Sequence, residues 1–209
     1  VAKVVHDGQL LGVLAHTEHA ALQAAQRLQD AQAWVDDVAA PPAEGWSAWL
    51  KAQELQTTVV HSTGSPDTFS APETEASASN LTVLEAEFER SYLQHASIGL
   101  CCALAHKPGE QLEVWSHTQG IFNLQRDLAL AFGLGTDHVT VNHVQGGGCY
   151  GHNGADDVAF DAAWLAHHTT SPVRVMWRRD DEMRHSPLAP AMTVKVRSGI
   201  DAQGRIVQW

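Results

Sequence analysis

The sequence predicts an α+β fold. Three observations carry that reading. Short β-branched runs of strand length recur, at 139–144 and 173–177. Stretches of helical period lie between them, most clearly at 121–132. The two kinds of element mix without a strict strand–helix–strand repeat, and a hairpin signal stands near each end.

The elements follow in order. Apolar runs at 1–5 and 9–15 flank His6, Asp7 and Gly8, and Asp-Gly between such runs marks a hairpin. Thr17 offers a helix N-cap, Glu18 suits the first turn, and the Ala-rich stretch 20–28 is strongly helix-forming. Residues 41–45 break the chain, and 46–55 read as a short helix. Residues 62–80 are rich in Ser, Thr, Ala, Pro and acid, with Phe69 the one large apolar side chain, so they read as a surface linker. Residues 81–90 alternate and predict a half-buried strand. His95 falls in a strand-like stretch and reads as a structural histidine. A strand is expected over 112–117. The helix over 121–132 places Ile121, Leu124, Leu128, Ala131 and Phe132 at helical spacing, and Gly133 and Gly135 end it. The strand 139–144, a glycine loop, and a helix over 156–168 follow, then the strand 173–177. The charged run 178–182 reads as a solvated loop. Runs at 192–197 and 205–209 flank Asp201-Ala202-Gln203-Gly204 and predict a second hairpin. This gives three parts: a small strand–helix segment over 1–61, a linker over 62–80, and a larger α+β part over 81–209. No internal repeat is visible.

Composition excludes several function classes. The formal charge of −11 over 209 residues argues against nucleic acid, whose binding depends on Lys and Arg neutralising phosphates, and against an anionic membrane surface. No segment has the length and apolarity of a transmembrane helix, and no signal peptide is visible. Cys101, Cys102 and Cys149 have neither C-x-x-C nor zinc spacing and are too few for an iron–sulfur cluster, so they read as buried free thiols. The 13 histidines are scattered, and no metal held by protein side chains is expected.

The most informative stretch is Gly146-Gly147-Gly148-Cys149-Tyr150-Gly151-His152-Asn153-Gly154. Glycines let a backbone approach a ligand closely, and a helix start beyond them presents free N–H groups. A triphosphate loop would end in Gly-Lys-Ser/Thr, which is absent, and two aspartates open the helix. The dinucleotide spacing G-x-G-x-x-G is met only because glycine repeats. A purely structural turn also fits these residues.

Four segments, in order, resemble the large molybdenum-binding subunits of the xanthine dehydrogenase / aldehyde oxidase family: Tyr92-Leu93-Gln94-His95-Ala96, Val114-Trp115-Ser116-His117-Thr118-Gln119, the glycine loop with its Cys149-Tyr150-Gly151 step, and the Pro172–Glu182 stretch. The form of the loop is similar to that of bacterial members of the nicotinate dehydrogenase and isoquinoline 1-oxidoreductase type. The resemblance implies a molybdopterin-binding domain, with molybdenum held by the pterin, in its cytosine dinucleotide form, and not by side chains. It implies that Gln119 contacts the molybdenum centre, and that Gly147, Gly148, Cys149, Tyr150 and Gly151 hold the cofactor. It implies hydroxylation of a small N-heteroaromatic substrate with water as oxygen source, a 2Fe-2S partner subunit, and a cytoplasmic setting. The family's subunits are several times longer, and their catalytic glutamate lies far downstream. The chain is therefore expected to be a piece of such a subunit, inactive alone and holding no cofactor tightly by itself. Departures concern specificity. Tyr150 stands where most relatives carry Phe, Gly154 falls at a substrate-contacting glutamate of the eukaryotic enzymes, and Ser97-Ile98-Gly99 replaces Met-Glu-Pro.

Overall fold

The computed structural model describes residues 2–31, 41–63, 81–154 and 157–209. In chain order the strands are β1 (Lys3–Asp7), β2 (Leu10–Leu14), β3 (Thr82–Arg90), β4 (Cys102–His106), β5 (Leu112–Ser116), β6 (Val139–His143), β7 (Val173–Met176), β8 (Met192–Ile200) and β9 (Ile206–Gln208). The α-helices are α1 (Glu18–Ala31), α2 (Trp46–Lys51), α3 (Ile121–Phe132), α4 (Asp157–Ala166) and α5 (Arg179–His185). They fall into two compact units, 1–37 with 94–189, and 38–93 with 190–209.

The first unit is built on a four-stranded sheet of order β6-β5-β4-β7. β5 and β6 are parallel, and β4 runs antiparallel to both β5 and β7. Parallel neighbours need a crossover, and α3 supplies it. Gly133 ends α3 at φ 63°, and the N–H of Leu134 donates to the carbonyl of Ala129 at 2.9 Å, closing the helix in a Schellman arrangement. α4 packs on β4, β5 and β7. Its Ala159, Ala162 and Ala163 are fully buried, and small side chains are what let a helix sit close to a sheet. Leu112, Val114, Leu128 and Val139 fill the space at 2 % exposure or less. The β1–β2 hairpin lies on α4 as well. A Cβ on Gly12 would come within 2.8 Å of both Leu165 and Trp164. Thr17 caps α1 as its sequence suggests, its Oγ1 accepting from the N–H of Ala20 at 3.3 Å.

The second unit holds an antiparallel sheet of order β3-β8-β9, with α2. Asp201 organises the β8–β9 turn, its Oδ1 accepting from the N–H groups of Gln203 (3.0 Å) and Arg205 (2.9 Å). On one face Glu85, Glu87 and Glu89 stand opposite Arg197, Lys195 and Thr193. Lys51 of α2 pairs there with Glu87 and with Glu89.

Several expectations change. The strand over 81–90 exists but is not half-buried: Leu84 is 52 % and Phe88 60 % exposed, because nothing among the described residues covers that face. The charged run 178–182 is no solvated loop. It opens α5, and Glu182 is only 3 % exposed. Its charge suggests solvent, but Arg179 neutralises it in place. β4 is not foretold, since its small residues Ala103 and Ala105 and its flanking cysteines carry little strand signal. His95 lies in irregular chain, not in a strand. The linker expected over 62–80 lies outside the described residues from residue 64 onward, as do Ala155 and Asp156 at the expected start of α4.

Candidate functional site

The glycine loop leaves β6 where β5 also ends. Val144 still pairs with β5, its N–H donating to the carbonyl of Ser116 at 3.0 Å. The next residues cannot continue the strand. Gly146 packs on His117, and a Cβ there would lie 2.7 Å from that residue's Cβ. Gly147 packs on the backbone of Gly99, so that a Cβ on Gly147 would overlap Gly99 N and Cα. The N–H of Gly99 donates to the carbonyl of Gly147 at 3.3 Å. Two glycines, distant in sequence, are thus required by one close backbone contact.

Beyond this contact the chain turns back. Gly148 and Gly151 have φ of 112° and 106°, which L-residues rarely adopt. Tyr150 adopts φ 53° without being glycine, and its exposed ring lies over Gly148. Cys149 fixes the turn from inside. Its Sγ accepts from the N–H groups of Gly151 (3.3 Å) and Asn153 (3.1 Å), as an Asp or Asn side chain would in a turn. A 3-10 turn, His152–Gly154, follows.

Asn153 joins this loop to the segment after β5. Its Nδ2 donates to the carbonyl of His117 at 2.8 Å, and its own carbonyl accepts from the N–H of Gln119 at 3.3 Å. Gln119 is exposed, and among the described residues its amide has no hydrogen-bond partner. Gln119 is therefore brought to the 149–153 turn with an uncharged donor and acceptor free. Gly147, Gly148, Cys149, Tyr150 and Gly151 are continuous and mostly accessible, but they differ in kind. Gly147 is consumed by Gly99, Cys149 by the turn, and Gly148, Tyr150 and Gly151 face outward or towards His95.

Beneath the loop lies a layer that the sequence does not reveal. Cys101 Sγ is 3.3 Å from His152 Nδ1. Burial, and then the carboxylate of Glu182 nearby, push the Cys101 thiol up to about 12. Burial, and then the neighbouring imidazole of His95, hold His152 below its ordinary value. Both shifts oppose a thiolate–imidazolium pair, so Cys101 meets His152 as a neutral thiol against a neutral ring. The ring of His152 stacks on that of His95 at 5.8 Å. His95 Nδ1 donates to the carbonyl of Pro187 at 3.1 Å, which leaves Nε2 towards Gly151. Glu182 Oε1 accepts from the N–H of Cys101 at 2.6 Å, and Oε2 pairs with Arg179 at 2.6 Å. Sequence reasoning misses Asn153, His152, Arg179 and Glu182 as site residues. Asn153 and His152 stand inside the glycine-rich motif and are readable there as its polar members. Arg179 and Glu182 lie in the Pro172–Glu182 stretch that carries the family resemblance, but the sequence gives them no role beyond a charge run. Among the described residues no cluster of His, Cys, Asp and Glu could hold a metal ion.

The mixed sheet thus carries a glycine loop and an uncharged amide side by side where β5 and β6 end. The chain belongs to the molybdopterin cofactor-binding domain family, whose model matches residues 53–209. It is 37 % identical over 124 residues to one of the subunits of nicotinate dehydrogenase from Pseudomonas putida, a match covering 57 % of this chain and 10 % of that protein. The chain thus spans about a tenth of the length of the curated relative it matches. In fold it is similar to quinoline 2-oxidoreductase from Pseudomonas putida 86, with TM-score 0.57 and 18 % identity, covering 63 % of this chain and 17 % of that one. It is similar too to the aldehyde oxidoreductase of Desulfovibrio desulfuricans, with TM-score 0.60 and 15 % identity, covering 69 % of this chain and 15 % of that one. The α+β class agrees with these neighbours. No helix of the described residues is long and apolar enough to cross a membrane.

Proposed function

We propose that this chain is part of the large subunit of a molybdenum hydroxylase acting on a small N-heteroaromatic substrate. The observation that carries the reading is the tie between Asn153 and both Gln119 and Cys149, which sets a free amide beside a glycine loop in a chain of the molybdopterin-binding family. The relative named for nicotinate, an N-heteroaromatic acid, supports the substrate class.

The residues fit such a cofactor. Residues 145–154 hold no carboxylate to repel its phosphate, and the neutral Gln119 amide donates a hydrogen bond without altering charge. Gly147, Gly148, Cys149, Tyr150 and Gly151 would hold the pterin, in its cytosine dinucleotide form, by main-chain contact. When bound, the molybdenum cofactor supplies hydroxylation of carbon with oxygen taken from water. The main chain of Gln119 is held by the carbonyl of Asn153, and its exposed amide would serve the cofactor as an uncharged donor. Residues 81–209 are then the first part of the cofactor-binding domain and 1–61 the end of the domain before it. The rest of the subunit and a 2Fe-2S partner complete the enzyme, which acts in the cytoplasm. A nucleotide-loop reading has less support: the loop lacks the Gly-Lys-Ser/Thr ending of a triphosphate loop, and the chain belongs to the molybdopterin-binding family.

The test is made in the full-length subunit with its partners. Gln119→Ala is expected to lower turnover on the order of 100-fold at unchanged molybdenum and pterin content, as for loss of one preorganised donor. Wild-type turnover would remove Gln119 from the site. Absence of molybdenum and pterin from wild-type protein made in a molybdenum-replete host would overturn the reading as a whole.

A further inference from the structure

Residues 94–101 form no helix or strand apart from an isolated bridge nearby, yet they touch the glycine loop along its length. Gly99 meets Gly147, Ser97 Oγ donates to the carbonyl of Cys149 at 3.4 Å, His95 approaches Gly151, and Cys101 meets His152. The segment is also strained. Among the described residues, Ala96 (φ 47°) and Tyr150 (φ 53°) are the two non-glycine residues with positive φ, and they lie on the two sides of this contact. Such conformations persist only where the surroundings over-determine them. An irregular, strained segment has no ladder of its own to supply that, so something else must hold it.

What holds it is α5. Glu182 receives the N–H of Cys101, Arg179 Nη2 donates to the carbonyl of Ile98 at 2.9 Å, and Gln94 Nε2 donates to the carbonyl of Glu182 at 2.7 Å. Arg179 and Glu182 are bound to each other, so three points of the segment are fixed to a single ion pair and its helix turn. The carboxylate is nearly all buried, while the guanidinium is half exposed. A carboxylate placed there is costly unless both its oxygens are satisfied, and both are. A core position with no positional duty would be filled more cheaply by an apolar side chain.

We infer that Glu182 and Arg179 are positioning residues: they clamp the segment 94–101 from behind, and through it set the backbone of the glycine loop. The clamp acts on the loop whether or not a cofactor is present; its consequence for cofactor retention rests on the function proposed above.

The experiment is amide hydrogen exchange on the full-length subunit, comparing Glu182→Ala, Glu182→Gln and Arg179→Ala with wild type. Gln retains an acceptor for the Cys101 N–H and loses the ion pair, so it is expected to restore part of the effect. In Glu182→Ala, exchange across residues 147–153 is expected to rise at least tenfold, with 112–116 and 139–143 unchanged within twofold. Arg179→Ala, which leaves the buried carboxylate without its cation and removes the bond to the carbonyl of Ile98, is expected to give the same pattern. Loop exchange equal to wild type in both Glu182→Ala and Arg179→Ala would overturn the clamp. So would acceleration spread equally over the sheet strands, since that is the mark of general destabilisation. Molybdenum and pterin content of the same samples reports separately: a loosened loop with full content keeps the clamp and overturns the cofactor role of the loop.

Discussion

The two units bury their strands in opposite ways. In the first, β4, β5 and β7 are covered by α4, and inward side chains such as Leu112 and Val114 are wholly withdrawn from water. In the second, β3 and β8 pair over nine residues each, but Leu84, Phe88, Met192 and Val194 remain largely exposed on one face, while the other carries paired charges. Strand pairing alone therefore does not make a core. The first unit owes its core to a helix of small residues that a sheet can approach closely. The second has cross-strand partners and no covering layer among the described residues.

The largest effect is expected where that core is fullest. Leu112→Ala removes a side chain with no exposure and leaves a cavity that the alanines of α4 cannot fill. It should cost about 3 kcal/mol of unfolding free energy. Denaturant titration measures this. A loss below about 1 kcal/mol would mean that the sheet–helix layer is looser than its burial indicates.

A second prediction concerns the layer beneath the glycine loop. His152 is held below its ordinary value of 6.5 by burial, and secondarily by His95. The unfolded chain then binds a proton that the folded chain resists. The stability contributed by the neutral ring is complete above the unfolded value of 6.5 and is lost progressively as pH falls from there towards the lower folded value. Stability is expected to decline on acidification below about pH 6.5, and His152→Asn to flatten that decline. An unchanged slope in the variant would assign the decline to other groups, His167 first, since burial lowers it too.

How far the sequence foretells this molecule follows the same division. Elements defined by local chemistry are legible: the helix over 121–132 coincides with α3, and Asp7-Gly8 and Asp201–Gly204 stand at the two hairpin turns. The glycine loop is legible as a loop because its glycines are contiguous. What escapes depends on distant partners. Nothing near Glu182 in sequence says that Cys101, 81 residues away, supplies its hydrogen bond. Gly99 looks like any isolated glycine until Gly147 is folded against it. Leu84 and Phe88 alternate as a buried face would, and alternation cannot say whether a second layer exists.

The smallest expected effect tests that last point. Phe88 stands opposite Val194 on the open face and is 60 % exposed. Phe88→Thr keeps a residue suited to a strand and removes only a cross-strand contact, which is worth between about 0.2 and 1 kcal/mol. In this chain by itself the change in unfolding free energy should therefore stay within about 1 kcal/mol. The same substitution in a full-length subunit distinguishes two states of the face. An equally small cost there means that the face stays in water in the longer protein. A cost near the roughly 3 kcal/mol of Leu112→Ala means that further polypeptide packs on it, since only complete burial makes loss of a large side chain that expensive. The difference between the two measurements is the burial that Phe88 gains outside this chain, and it is the quantity that decides whether the contrast between the two units belongs to the whole protein.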